Sequence, residues 1–163
     1  MTLRLILMRH AKSSWRQTDL ADHERTLNQR GRDSADAIGD WLRKNGYAPD
    51  TVLSSSSERT RETYAHLRFD AKPTYTRKLY LAPATAMFDC LREATGDTVL
   101  MLGHNPGIGE FAERLAKKIP EHSRFLDYPT CATTVFEFKV DRWQDIQLGK
   151  GKVRAFIVPR ELL

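Results

Sequence analysis

The sequence predicts an α/β fold: a three-layer sandwich in which a mostly parallel central sheet of about six strands carries helices on both faces. Three observations point there. Apolar runs of strand length alternate with stretches of helical periodicity over most of the chain. Two of those runs, Leu3–Met8 and Thr98–Leu102, have the length and composition of buried strands. The last two runs, Ala132–Lys139 and Lys152–Val158, are joined only by Val140 to Gly151, too short for an ordinary crossover helix, so that pair is expected to be antiparallel.

The elements are taken in chain order. Leu3–Met8 is the first strand. Asn28 is the expected N-cap of a long helix that runs from Gln29 and stops near Gly46, with Ile38, Trp41 and Leu42 at helical spacing toward the sheet. Thr51–Ser54 is the second strand, and a helix beginning near Ser57 carries Glu58 to Leu67. Pro73–Thr76 is the third strand, followed by a helix over Pro83 to Ala94. Thr98–Leu102 is the fourth strand, and Pro106, a favoured first-turn residue, opens a helix to about Lys118. The two final strands close the sheet.

Composition narrows the class. A chain of 163 residues, 40% hydrophobic and 29% charged, suits one domain over 1–163 with a full core. No stretch is long and apolar enough to span a membrane, and the N-terminus enters the first strand with no signal-peptide pattern. Cys90 and Cys131 have neither CxxC nor metal-type spacing, so a cytoplasmic location is expected. A net charge of +5 suits an anionic partner, but no zinc finger, RNP motif or basic helix marks nucleic acid. No repeat, linker or apolar surface stripe is evident, and a monomer is expected.

The chemistry gathers where strands end. Arg9-His10-Ala11 comes directly after the first strand, and Gly103-His104-Asn105-Pro106 directly after the fourth. In an open α/β sheet the crevice beyond the carboxyl ends of the strands is where ligands bind. The second strand leads into Ser54-Ser55-Ser56-Ser57-Glu58-Arg59-Thr60, where a serine can cap the next helix and leave its first N–H groups facing an anion. Arg59 lies in that first turn. Two arginines, two histidines and a helix N-terminus suit a phosphoryl group and the extra charge of its transition state. A neutral imidazole can attack phosphorus and leave again, and a second imidazole, as imidazolium, can bind the transferring oxygens. Neither a P-loop nor an HExxH pattern is present, and no metal or cofactor is called for. Taken singly, each piece has an ordinary structural explanation. His23, His66 and His122 read as surface or core histidines, Arg61 as a solvated helix charge, and Gly103 and Gly107 as turn residues.

Together, Arg9-His10-Ala11, Ser55 to Thr60 and Gly103-His104-Asn105-Pro106 resemble the histidine phosphatase, or phosphoglycerate mutase-like, superfamily. Arg25-Thr26-Leu27-Asn28-Gln29-Arg30-Gly31 is similar to its Arg-Pro-Leu…Gly segment. Ala11 stands for the family's glycine and Thr26 for its proline. Within the superfamily the chain is most similar to the compact SixA-type phosphohistidine phosphatases. The resemblance implies a phosphoglycerate mutase-like fold and His10 as a nucleophile that becomes phosphorylated. It implies Arg9, Arg59 and His104 as the groups that bind the phosphoryl group. Arg25, Lys12 and Ser13 are further candidates for phosphate or the substrate rim. Larger members carry a helical subdomain and a glutamate acid. Here the corresponding stretch, Arg77 to Pro83, has no carboxylate, and Asp22 is a weaker candidate to orient Arg25 or supply a proton. A P–N bond expels an imidazole more easily than a P–O bond expels an alkoxide, so a site without a dedicated acid matches phosphohistidine. The expected partner is therefore a phosphohistidine-bearing protein. A small phosphate ester is the alternative substrate, and a weakly catalytic phosphoprotein-binding module is the alternative class.

Overall fold

The computed structural model describes residues 1–163. Strand β1 (Leu3–Arg9) leads into helix α1 (Gln29–Lys44), and strand β2 (Thr51–Ser55) into helix α2 (Glu58–Leu67). Strand β3 (Pro73–Thr76) is followed by helix α3 (Ala84–Arg92), and strand β4 (Thr98–Gly103) by helix α4 (Gly107–Leu115). Strands β5 (Thr133–Phe138) and β6 (Lys152–Ile157) complete one six-stranded sheet in the order β3-β2-β4-β1-β5-β6. β1, β2, β3 and β4 pair in parallel, whereas β5 runs antiparallel to both β1 and β6.

The pleat of the central strands creates the three layers. Leu3, Leu5 and Leu7 of β1 and Val99 and Met101 of β4 face one core with Met87, Leu91, Ile108 and Phe111 of α3 and α4. Ile6, Met8, Leu100 and Leu102 face the other core with Ile38 and Leu42 of α1 and Tyr64 and Leu67 of α2. These side chains are almost wholly withdrawn from water. Each such burial contributes roughly 1.5–3 kcal/mol before conformational entropy is charged against it. No helix is long and apolar enough to cross a membrane.

Several boundaries differ from the sequence expectation. β1 and β2 each run one residue further, to Arg9 and Ser55, and β4 reaches Gly103, because cross-strand pairing continues to the Arg9–Gly103 and Ser55–Thr76 pairs. α3 is shorter than the Pro83 to Ala94 stretch, starting at Ala84 and ending at Arg92. α4 stops at Leu115 instead of Lys118, since Ala116 is extended and Lys117 N–H bonds the Gly151 carbonyl at 2.8 Å. Asn28 caps α1 by accepting from Gly31 N–H, and Ser57 caps α2 by accepting from Thr60 N–H, as the sequence suggests.

Two glycines fix the loops around the carboxyl edge of the sheet. A Cβ on Gly31 would lie 2.1 Å from the Lys12 carbonyl oxygen, so α1 can press on the segment after His10 only with glycine there. A Cβ on Gly107 would lie 1.9 Å from the Ala82 carbonyl oxygen, so the start of α4 abuts the β3–α3 connection. Gly107 is therefore a packing residue and not merely a turn residue.

Candidate active site

The strand order makes the site. β4 lies between β1 and β2, so three chain segments distant in sequence end side by side. β1 delivers Arg9 and His10, β4 delivers His104, and β2 delivers Ser55. The backbone locks the arrangement: His10 N–H bonds the Gly103 carbonyl at 3.1 Å, and the His10 carbonyl accepts from Cys131 N–H at 2.9 Å. Ala11 N–H donates to Thr63 Oγ1 of α2 at 3.0 Å.

His10 and His104 are both buried, with ring centroids 5.2 Å apart. The only hydrogen bond of the His10 ring joins Nδ1 to the Ala11 carbonyl at 2.7 Å. A carbonyl only accepts, so Nδ1 carries the proton and Nε2 carries the free lone pair. Burial, followed by the nearby His104, Arg9 and Arg59, holds His10 well below the usual histidine range. Such an imidazole is neutral at pH 7 and able to act as a nucleophile.

His104 is held at both nitrogens. Nδ1 faces an Arg59 Nη at 3.3 Å, and Nε2 lies 2.7 Å from Ser55 Oγ. A guanidinium only donates, so Nδ1 accepts and the Nε2 proton points at the serine. Burial and then the Arg59 charge bring His104 down to about 3. The sequence leads one to expect an imidazolium here. The structure instead holds a neutral ring, because burial among two arginines disfavours a third cation.

Arg59 is buried, and Arg9 is half-buried. Arg59 gives one Nη to the Asp22 carbonyl at 2.7 Å and the other to Asp22 Oδ2 at 3.0 Å. Arg9 gives one Nη to the Tyr128 carbonyl at 3.2 Å. Both Nε atoms are buried with no acceptor. Arg4, paired with Glu137 away from the site, has an unpartnered Nε as well, so what suits an anion is the meeting of two such guanidinium groups at one sheet edge. Burial and the neighbouring Arg59 lower the Arg9 pKa, as expected for two guanidinium groups drawn into one place.

Asp22 organises this cluster. It accepts from Arg59, from Arg25 at 3.0 Å and from the Tyr80 hydroxyl. Partial burial alone would raise its pKa, but these hydrogen bonds and the charges of Arg59 and Arg25 outweigh it and bring the carboxyl down to about 2. It orients the arginines and has no proton to give at neutral pH.

Of the candidate residues, Arg9, His10, Arg59 and His104 come together. Arg25, Ser13 and Lys12 do not join them. The Arg25 donors are taken by Asp22, Ser13 Oγ and the Ser14 carbonyl, so Arg25 reaches the site only through Asp22. The Ser13 hydroxyl is committed to Arg25, and the Lys12 side chain is exposed. His23, set aside as ordinary, reaches the site margin: Nε2 lies 2.8 Å from Ser56 Oγ and its ring meets Tyr80 at 4.7 Å. Tyr80 meets His104 edge-on at 5.5 Å. Tyr80 lies in Arg77 to Pro83, where an aromatic hydroxyl follows no sequence pattern that marks a site residue. Ser55 was one of four consecutive serines, and nothing local distinguishes it from its neighbours.

The chain is similar to known proteins over most of its length. The model of the histidine phosphatase superfamily (branch 1) matches residues 5–79. An uncharacterized protein of Mycobacterium tuberculosis is 36% identical over 162 residues, spanning 94% of this chain and all of its own length. A protein of Nakamurella multipartitia assigned as the phosphohistidine phosphatase SixA superposes with a TM-score of 0.85 at 26% identity, covering 98% of this chain and 97% of that one. Its Agrobacterium tumefaciens counterpart, likewise assigned, gives 0.78 at 26% identity, covering 96% and 98%.

Proposed function

The chain belongs to the histidine phosphatase superfamily, as a compact SixA-type member with a phosphoglycerate mutase-like fold, and we propose that it hydrolyses phosphohistidine on a protein through a phospho-His10 intermediate. The observation that carries the reading is the pair of buried, unpartnered Nε donors on Arg9 and Arg59, beside an imidazole whose Nε2 is free. Phosphoryl oxygens would satisfy both donors.

In the first step the His10 Nε2 lone pair attacks phosphorus. The P–N bond of the substrate breaks and its electron pair returns to the substrate imidazole, which leaves neutral when it enters carrying a ring proton. Phospho-His10 then bears a positive ring, and the Ala11 carbonyl at Nδ1 stabilises that charge. In the second step water attacks phosphorus, the P–Nε2 bond breaks, its pair returns to Nε2, and the water proton stays with the departing phosphate. Arg9 and Arg59 hold the equatorial oxygens throughout.

The lack of a protonated carboxyl favours P–N over P–O cleavage. Asp22 is ionised, and the Tyr80 hydroxyl, pushed up from its ordinary value by burial and by Asp22, is given to that carboxylate. An alkoxide leaving group would find no carboxylic acid here. The enzyme needs no metal in this scheme, because two guanidinium groups supply the positive charge. It acts as a monomer in the cytoplasm, a reducing setting that suits the free thiols of Cys90 and Cys131.

The test is phosphate release from a phosphohistidine-bearing protein beside sugar, glycerate and aryl phosphates, with EDTA present, for wild type and His10→Ala. Preference for the phosphohistidine protein, abolished by His10→Ala, is expected. Full turnover by His10→Ala, or turnover of metabolites alone, would overturn the reading.

A further inference from the structure

Away from the two chain ends, the three most exposed large apolar side chains are Trp15 at 72%, Leu126 at 61% and Leu81 at 54%. Each sits on a different loop, and each loop also carries a group of the phosphoryl pocket. Trp15 lies beneath the Arg25 guanidinium, 3.4 Å from its ring centroid, and Arg25 holds Asp22. Leu81 is next to Tyr80, whose ring meets His104. Leu126 precedes Asp127 and Tyr128, whose carbonyls accept from Asn105, and the Tyr128 carbonyl also accepts from Arg9.

We infer that Trp15, Leu81 and Leu126 form an apolar docking rim for the body of the protein that carries the phosphohistidine. The inference rests on the phosphohistidine reading and names what recognises the molecule around the phosphoryl group. Any substrate whose phosphorus reaches His10 lies against these loops. A polar metabolite gains nothing from three exposed apolar side chains, whereas a protein surface gains by burying them. Large apolar anchors of this kind dominate the affinity of protein interfaces. Charge narrows the partner further. Lys12, Arg16, Arg77, Lys78, Lys117 and Lys118 on the same loops make no ion pair, against three unpaired carboxylates, Asp19, Glu24 and Glu121. The matching surface is therefore apolar and mildly acidic around its phosphorylated histidine.

The experiment compares kcat/KM on two substrates: a phosphotransfer protein phosphorylated on histidine with phosphoramidate, and free phosphohistidine. The variants are Trp15→Ser/Leu81→Ser/Leu126→Ser and the double Leu81→Ser/Leu126→Ser, which leaves Trp15 against Arg25. For the triple variant we expect kcat/KM on the protein to fall at least thirtyfold, through KM, with free phosphohistidine unchanged. The double variant should show the same selective loss at smaller size. Unchanged turnover of both substrates, or an equal loss on both, overturns the docking rim. Sedimentation with anionic lipid vesicles that the substitutions abolish, with protein turnover intact, also overturns it and assigns the rim to a membrane surface. A wild type that releases phosphate from neither substrate overturns the phosphohistidine reading itself.

Discussion

Removing the hydroxyl of Ser55 tests how the second histidine is held. Ser55 is fully buried, and its Oγ accepts from His104 Nε2 at 2.7 Å and from Ser57 N–H at 3.3 Å. In Ser55→Ala both donors lose their acceptor at a fully buried position. A buried donor left unsatisfied costs about 1–3 kcal/mol. The longer bond counts for less, so a total of about 2 kcal/mol is expected. For a chain of this size that lowers Tm by roughly 4–8 °C. The kinetic effect is separate. With its Nε2 proton released, His104 can rotate or change tautomer, and Nδ1 no longer has to face Arg59. Each 1.36 kcal/mol lost from the transition state is about a tenfold loss of rate, so kcat should fall tenfold or more with KM little changed. Thermal unfolding, steady-state phosphate release and the 15N shifts of the His104 ring read the three effects. A wild-type ring protonated at Nδ1, or a Ser55→Ala protein with unchanged Tm and kcat, would refute the reasoning.

Three further outcomes are expected from the same geometry. Asp22→Asn removes the carboxylate that holds Arg59 and Arg25, while the backbone carbonyl on Arg59 stays. Because Asp22 is partly open to solvent, the stability cost should stay near or below about 1 kcal/mol, while kcat/KM falls at least tenfold; the reverse pattern would show Asp22 to be structural. His104 is held at about 3 and His10 well below its usual value, so the fold keeps both neutral while the unfolded chain protonates them near 6.5. Their contribution is complete above pH 6.5 and is lost as the pH falls below it, at about 1.4 kcal/mol per pH unit for each histidine. Urea titrations at pH 7.5, 6 and 5 should show this slope, reduced in His104→Gln; an unchanged slope in that variant would contradict it. Gly107→Ala drives a methyl into the Ala82 carbonyl, which should cost about 1–3 kcal/mol or more, and it should lower kcat by shifting the Tyr80 loop; a stable, fully active variant would show that this contact relaxes freely.

The sequence by itself determined the layers, the paired strands at the end of the chain and which side chains the strand ends would bring together. The near-continuous apolar character of Leu3–Met8 and Thr98–Leu102 is a local property, and burial on both faces demands it wherever the strand lies. Arg9, His10, Arg59 and His104 were legible because an open α/β sheet exposes the residues just past its strand ends, and because these residue types suit one chemistry. The tertiary structure alone decided the order β2-β4-β1, which depends on how crossovers pack and places Ser55 against His104. It also decided protonation. No spacing rule shows that Arg59 blocks Nδ1 of His104, or that Asp22 is shared between Arg59, Arg25 and Tyr80. Arg25, Ser13 and Lys12 stand outside the cluster of four for a similar reason. Sequence neighbours of a nucleophile share its loop, but side-chain direction and hydrogen-bond competition settle which of them reach the pocket, and both arise only when distant segments meet.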